Sequence, residues 1–412
     1  MRDTDVIVMS AELRVKSFDA SGQRVIENTL TGQRLALSNN AAKILDLFRT
    51  PKKISTVARQ MGVRNRTDRE KFRSVLSPLI EAAFLVNTNK NESHDEKRRT
   101  AEAPATDLFV RPELSFAGCP ATHVSEVGEG SLVIAGVATD QATTGHPGAR
   151  YGPDRLREVS RRYIAYELDV VTLLNRGWYS ADLGKTILRG VPFADVGNLS
   201  INTSEDPRVI YDRCYHAALS IHSKKALPVF IGGDHSISAP IIKACTDTYS
   251  DVTLVHFDAH TDMADWTTGT THHHGNVMRR VLQENPNLRI LQYGIRGFTK
   301  GPSLNDRQQI IAQREIDLSV QKVLSSRVPS GQACYISIDV DVLDPGFAPG
   351  TGTPLPLGME PKTLLRLLEA VAKKNRVVGI DITELCPLLD RDDMTSSLMF
   401  HVLMSLLGWV YE

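Results

Sequence analysis

Residues 252–262 read Val252-Thr253-Leu254-Val255-His256-Phe257-Asp258-Ala259-His260-Thr261-Asp262. The first six form a short, largely apolar, β-rich run. The last five carry two carboxylates and a histidine. A near-continuous apolar run suits a strand covered on both faces, as in a parallel sheet packed between helices. Five more runs share this character: Leu132–Val137, Pro228–Ile231, Ile290–Tyr293, Cys334–Ile338 and Val377–Ile380, with helical stretches between them. The predicted fold class is therefore α/β, a parallel sheet with helices on both faces. Such sheets bind ligands at the carboxyl ends of their strands.

Polar residues emerge where that rule places them. Pro228–Ile231 runs into Gly232-Gly233-Asp234-His235-Ser236, Cys334–Ile338 into Asp339-Val340-Asp341, and Val377–Ile380 into Asp381-Ile382-Thr383-Glu384. A spacing of two predicts Asp258, His260 and Asp262 on one side of an extended segment, and Asp339 with Asp341 likewise. Any one of these residues alone would read as a turn or helix-cap residue. Together, four Asp and two His at strand ends demand cations, because crowded carboxylates either share protons or bind metal. The set is oxygen-rich, which suits two Mn2+ ions; zinc, iron, nickel or cobalt accept the same ligand types. Two metals roughly 3.5–4 Å apart can activate one hydroxide at neutral pH.

Composition excludes several other classes. The chain has 412 residues, 48 basic and 48 acidic, with no formal net charge. Nucleic-acid binding and polybasic membrane attachment both call for a basic excess, so neither is expected. Five scattered cysteines without a C-x-x-C pair fit reduced thiols better than a disulfide framework. No apolar run approaches the ~20 residues of a membrane span, and no signal peptide is evident. A cytoplasmic protein is expected.

The polar stretch at residues 89–107 holds almost nothing that could enter a core, and reads as a linker. It separates a small domain at 1–88 from a catalytic domain at 108–412. In the small domain, short strands are predicted at Val6–Met9, Leu13–Phe18, Arg24–Asn28 and Arg34–Leu37. A helix follows Ser38, a second carries Ile54, Val57, Ala58 and Met61 and ends at Gly62, and a third begins near Thr67; Phe84-Leu85-Val86 closes the unit. This pattern describes a winged helix. The run from "LTGQRLALSNNAAKILDLF" to "FRSVLSPLIEAAFLV" resembles PqqD-like peptide-recognition domains, which implies a ribosomal precursor peptide as partner.

"GGDHS", "HFDAHTD", "SIDVDVLDPGFAPGTGTP" and "GIDITELCP" resemble the ureohydrolases, the arginases and agmatinases, over nearly all of Leu132–Glu412; "GVATDQATTGHPGARYGPDRLRE" is similar to that family's first loop and helix. The resemblance implies that His235, Asp258, Asp262 and Asp339 hold one manganese ion, while His260, Asp258, Asp339 and Asp341 hold the other. Hydroxide would then attack a guanidinium carbon to release urea, with Asp262 accepting a hydrogen bond from it. Glu384 matches the carboxylate that pairs with the guanidinium. His274, the histidine before Gly275, matches the acid/base residue; His272 and His273 are expected in a loop near the site entrance, and His123, His146 and His216 as structural or surface residues. One departure is Leu355-Pro356-Leu357-Gly358-Met359, where the family has Gly-Gly-Leu after "GTGTP". The expected reaction is urea release from a guanidino-bearing substrate, first of all arginine side chains in a peptide, converted to ornithine; the alternative is a small compound such as agmatine, guanidinobutyrate, arginine or guanidine. A homo-oligomer is expected.

Overall fold

The computed structural model describes residues 108–163, 176–202, 204–265, 273–299 and 306–412, with shorter segments between 6 and 87. The chain divides into two compact units, Met1–Glu102 and Ala103–Glu412. The proposed linker, residues 89–107, lies outside the described residues.

In the first unit the strands are β1 (Val6–Met9), β2 (Leu13–Phe18), β3 (Arg24–Asn28), β4 (Arg34–Leu37), β5 (Lys52–Lys53) and β6 (Leu85–Asn87). They make two antiparallel sheets, β5-β1-β6 and β2-β3-β4. The helix Ile54–Gln60 buries Ile54, Val57 and Ala58. Gly62, in the left-handed region at φ 73°, follows its end, as expected of a C-terminal glycine. Met61 was expected on the same apolar face but is 37% exposed, because the helix has ended before it. Most of the predicted third helix lies outside the described residues.

The second unit holds β7 (Phe109–Val110), β8 (Leu132–Val137), β9 (Trp178–Ser180), β10 (Lys185–Ile187), β11 (Phe193–Leu199), β12 (Leu227–Gly232), β13 (Val252–Phe257), β14 (Arg289–Ile295), β15 (Gln308–Ala312), β16 (Ala333–Asp339) and β17 (Arg376–Thr383). Nine of them form one sheet in the order β15-β14-β13-β16-β17-β12-β8-β11-β7. All neighbours in it are parallel except β7, an antiparallel edge strand on β11. Successive strand residues point to opposite faces, and both faces are apolar. Leu132 and Ile134 join one core with Leu156, Leu364, Leu367 and Leu403, whereas Val133 and Ala135 join another with Ile210, Ala217, Ile241 and Val281. Helices Gly152–Ser160, Pro361–Lys374 and Met394–Val410 thus cover one face, and Pro207–Ser223, Ser238–Thr248 and Val277–Glu284 the other. Each fully buried aliphatic side chain contributes roughly 1.5–3 kcal/mol.

The topology creates the site. After β15 the chain returns, and β16 and β17 fill the gap between β12 and β13. Four adjacent central strands therefore deliver their carboxyl ends side by side.

Three strands of this sheet were not predicted, for different reasons: the edge strand β7, at two residues, is too short to leave a pattern. In β11, Asp195, Gly197 and Asn198 interrupt the apolar pattern, yet Asp195 is fully buried against Arg157. In β15, an edge strand, Gln308 and Gln309 dilute the signal, and Gln308 bonds Gln292 on β14.

Candidate functional site

His235 follows β12 at the start of a one-turn helix, His235–Ile237, which the Asp234 side chain caps through Ser236 N. Gly233 is required just before it: a Cβ there would lie 1.5 Å from Thr139 O. That close approach lets the loop after β8 dock through Gly233 N to Val137 O and Asp234 N to Thr139 O.

Asp258 begins the segment after β13, Asp339 ends β16, and the two meet at His235. The His235 Nδ1 atom lies 3.3 Å from Asp258 Oδ2, 3.2 Å from Asp262 Oδ2 and 3.1 Å from Asp339 Oδ2. Beside this group, His260 Nδ1 is 3.0 Å from Asp341 Oδ2 and 3.6 Å from Asp258 Oδ1. All six predicted ligands are thus brought together, with Asp258 facing both histidines. The backbone differs from the extended geometry expected of a two-residue spacing. Asp262 is left-handed at φ 51°, its carbonyl accepting from Met278 N and Arg279 N at the start of a helix. Asp341 lies in the one-turn helix Val340–Val342, capped by the Asp339 side chain through Asp341 N at 2.9 Å. Backbone turns, not strand alternation, aim these carboxylates. Such strain is retained at functional sites because surrounding structure over-determines it.

The electrostatics are those of a cluster lacking countercharge. Burial, then Asp341 and Asp258, push the Asp339 carboxyl well above its ordinary range. Burial and Asp258 raise Asp341 likewise. His260 resists burial, which would lower it, and its Asp258 and Asp341 partners push it up to about 12. His235 is also raised, its three carboxylates outweighing burial. Protons held here occupy the place a cation would take. The buried atoms His235 Nδ1 and Asp258 Oδ2 have no hydrogen-bond partner, although each lies among donors and acceptors. Unpartnered buried atoms cost free energy unless something fills the space between them. The residues fit divalent metal by donor type, convergence and burial.

Ser337 and Asp381 stand behind His235 and orient its ring. The Ser337 hydroxyl donates to Asp381 Oδ1 at 2.6 Å, so its oxygen accepts from His235 Nε2 at 3.0 Å. Tyr335 donates to the other oxygen, Asp381 Oδ2, at 2.9 Å. Nδ1 is thereby the ring nitrogen turned to the carboxylates, a common arrangement for a metal-binding histidine. Thr353 similarly donates to Asp341 Oδ2 at 3.0 Å.

Glu384 follows β17 with a left-handed φ of 61°, and its amide bonds Gly233 O at 2.8 Å. It is 1% exposed. Its Oε1 accepts from His235 N at 2.9 Å and faces His274 Nδ1 at 3.0 Å. The Thr144 amide donates to His274 Nε2 at 3.0 Å, so the ring proton resides on Nδ1 and points at Glu384. Burial opposes protonation of His274, but Glu384 raises it above its ordinary range.

His273 corrects the expectation of an entrance-loop residue. It is 7% exposed, caps the turn His274–Asn276 through Gly275 N, and packs against the His274 ring with centroids 4.9 Å apart and planes tilted by 60°. The short turn draws it inward. His272 lies outside the described residues. His123 is a half-buried residue that caps the one-turn helix Val124–Glu126 by accepting from Ser125 N, in line with a structural part. Sequence reasoning missed His256, whose Nε2 is 2.9 Å from Asp258 Oδ2, and gave no part to Ser337 or Thr353. For His256 the signal was present: a histidine inside an apolar strand, two residues before Asp258 and so on the same face. Together with His235, Asp258 and Asp262 it makes a second way of surrounding one ion.

A mostly parallel sheet with convergent His and Asp at its carboxyl edge makes this an α/β protein with a candidate metal centre at its strand ends. The arginase family model matches residues 130–408, and the chain belongs to that family. It is 32% identical to the mitochondrial agmatinase of Gallus gallus over 319 residues, 74% of this chain and 88% of that protein. It is 30% identical to the mitochondrial guanidino acid hydrolase of Homo sapiens over 343 residues, 79% of this chain and 92% of that protein. Among solved structures, proclavaminate amidino hydrolase from Streptomyces clavuligerus superposes with a TM-score of 0.62 at 26% identity, covering 75% of this chain and 99% of that one.

Proposed function

We propose that this arginase-family enzyme hydrolyses the guanidino group of a small compound to an amine and urea. The observation that carries this reading is the convergence of His235, Asp258, Asp262, Asp339, His260 and Asp341 beside the His274–Glu384 pair. The agmatinase and guanidino acid hydrolase relatives support a small substrate.

His235, Asp258, Asp262 and Asp339 would hold one divalent ion, and His260, Asp258, Asp339 and Asp341 a second; manganese suits their oxygen-rich donors. When bound, such ions supply Lewis acidity and lower the pKa of water. The protein's own side chains do the rest. Both hydrogen bonds to Glu384 use Oε1, which leaves Oε2 to pair with a guanidinium N–H. Asp262 can accept a hydrogen bond from the attacking water. In the balanced reaction, R–NH–C(NH2)2+ and H2O give R–NH3+ and urea. Both water protons must therefore reach the leaving nitrogen, one for it to depart as a neutral amine and a second to make it an ammonium. His274 holds a proton on Nδ1 beside Glu384, where it can serve that transfer.

A second reading, hydrolysis of arginine side chains within a ribosomal precursor peptide, is favoured by the separate N-terminal unit. A tethered peptide-binding unit would raise the effective concentration of its cargo at the catalytic site. Urea release by manganese-loaded protein tests both readings, using agmatine, guanidinobutyrate, arginine, guanidine and arginine-containing peptides. Turnover of one small compound with inert peptides supports the first. Turnover of peptides alone replaces it with the second, and removal of residues 1–88 should then abolish peptide turnover.

A further inference from the structure

Arg296 follows β14, and its guanidinium makes an unusual set of bonds. Its Nε donates to Pro356 O at 3.1 Å, and Nη2 donates to Leu355 O at 2.8 Å. The same Nη2 donates to Asp341 O at 2.7 Å and Leu343 O at 3.2 Å, while Nη1 reaches Val342 O at 3.0 Å and Gly294 O at 3.4 Å. Among the described residues every hydrogen-bond partner of this side chain is a backbone carbonyl. A guanidinium is a rigid fork of donors, and here the fork joins two segments: the turn that carries Asp341 and the strap at 354–357.

The strap needs such a donor. Pro354 and Pro356 have no N–H, so this stretch offers mainly carbonyls. Leu357 is left-handed at φ 61° and 83% exposed, which gives the strap little apolar packing of its own at that point. Its two ends are fastened otherwise. Upstream, Gly352 O accepts from His146 N and Thr353 donates to Asp341. Downstream, Gly358 N donates to Asp344 Oδ2, and Met359 N to Val342 O. Arg296 holds the middle.

The strap is also next to the proposed guanidinium pocket, since a Cβ at Gly352 would lie 3.7 Å from Glu384 Oε2. We propose that Arg296 is a positioning residue that fastens the 354–357 strap to the Asp341 turn and so fixes the approach to Glu384. This rests on the guanidino-hydrolase reading for its kinetic consequence, though not for its structural one.

The test uses full-length, metal-loaded Arg296→Lys and Arg296→Met. Lysine keeps the charge but cannot span both segments. If the fork matters, both variants exchange the amides of 351–359 about tenfold faster or more, while Leu132–Val137 keeps its protection. In both, KM for the substrate found by urea release rises about tenfold with kcat changed less than about threefold. Wild-type exchange and KM in Arg296→Lys would overturn the proposal, since charge alone would then suffice. Loss of protection throughout the sheet in both variants would also overturn it, making Arg296 a residue of general stability. Hydrogen exchange needs no turnover, so absence of urea release from every compound would count against the proposed reaction and leave the strap still testable.

Discussion

Two of the buried charge clusters among the described residues of the second unit are built on opposite plans. At β11, Arg157 and Asp195 form a two-pronged pair, Nε to Oδ2 at 2.8 Å and Nη2 to Oδ1 at 2.9 Å. Asp195 also accepts from Phe116 N and Gly197 N, and Arg157 Nη1 bonds Asp154 and Asn198. Charge is matched and the carboxylate is well supplied with donors. At the carboxyl ends of β12, β13 and β16, four aspartates face two histidines, and buried atoms such as His235 Nδ1 and Asp258 Oδ2 stay without hydrogen-bond partners. A saturated cluster holds the fold together; an unsaturated, over-acidic one at strand ends is shaped for something that arrives from outside.

Substitutions should separate the two plans. Asp258→Ala removes the carboxylate that faces both histidines. It is expected to abolish tight divalent-metal binding and cut urea release by about a thousandfold or more, as loss of several kcal/mol of transition-state stabilisation implies. Retained binding of two ions, measured by metal analysis after gel filtration, would break the distinction. Asp195→Ala should do the reverse. Stranding Arg157 in the core costs roughly 3–5 kcal/mol of folding stability, read by denaturant titration, while metal affinity in the folded protein stays near wild type.

Much of this division could be read in the sequence, and the part that could not has a physical cause. Apolar runs followed at once by Asp and His reveal β12, β13, β16 and β17, because a parallel strand buried on both faces carries few polar residues before its carboxyl end. β11 breaks that pattern, since Asp195 is buried through a partner 38 residues upstream that no local pattern discloses. The left-handed turns at Asp262 and Glu384 are likewise set by tertiary hydrogen bonds, not by local preference. The inward position of His273 depends on a one-turn helix too short to announce itself.

A buried histidine outside both clusters sharpens the contrast by titrating without any countercharge. Burial lowers His222 to about 4. Its folded pKa lies below the unfolded value of about 6.5, so the unfolded chain binds the extra proton between those limits. The stability contribution is complete above about pH 6.5 and is lost as pH falls toward 4, amounting to about 3 kcal/mol. His222→Leu should flatten this part of the stability–pH curve from thermal or denaturant unfolding. An unchanged slope would show that His222 is not its source.

The smallest expected effect concerns the residues behind the proposed metal ligands. Ser337→Ala removes the hydroxyl between His235 Nε2 and Asp381 and should weaken metal affinity about 10–100-fold, with little loss of folding stability. Unaltered affinity by calorimetric titration would mean that the His235 tautomer is held by other means.

The most direct test is calorimetric titration of Mn2+ into metal-stripped protein, repeated in buffers of different ionisation enthalpy. Because His235 and His260 are raised above their ordinary value by the surrounding carboxylates, they hold protons that metal must displace. The expected result is two ions bound per chain, with net proton release and binding that tightens as pH rises. Binding of no ion, or binding without proton release, would contradict the assignment of this cluster as a two-metal site.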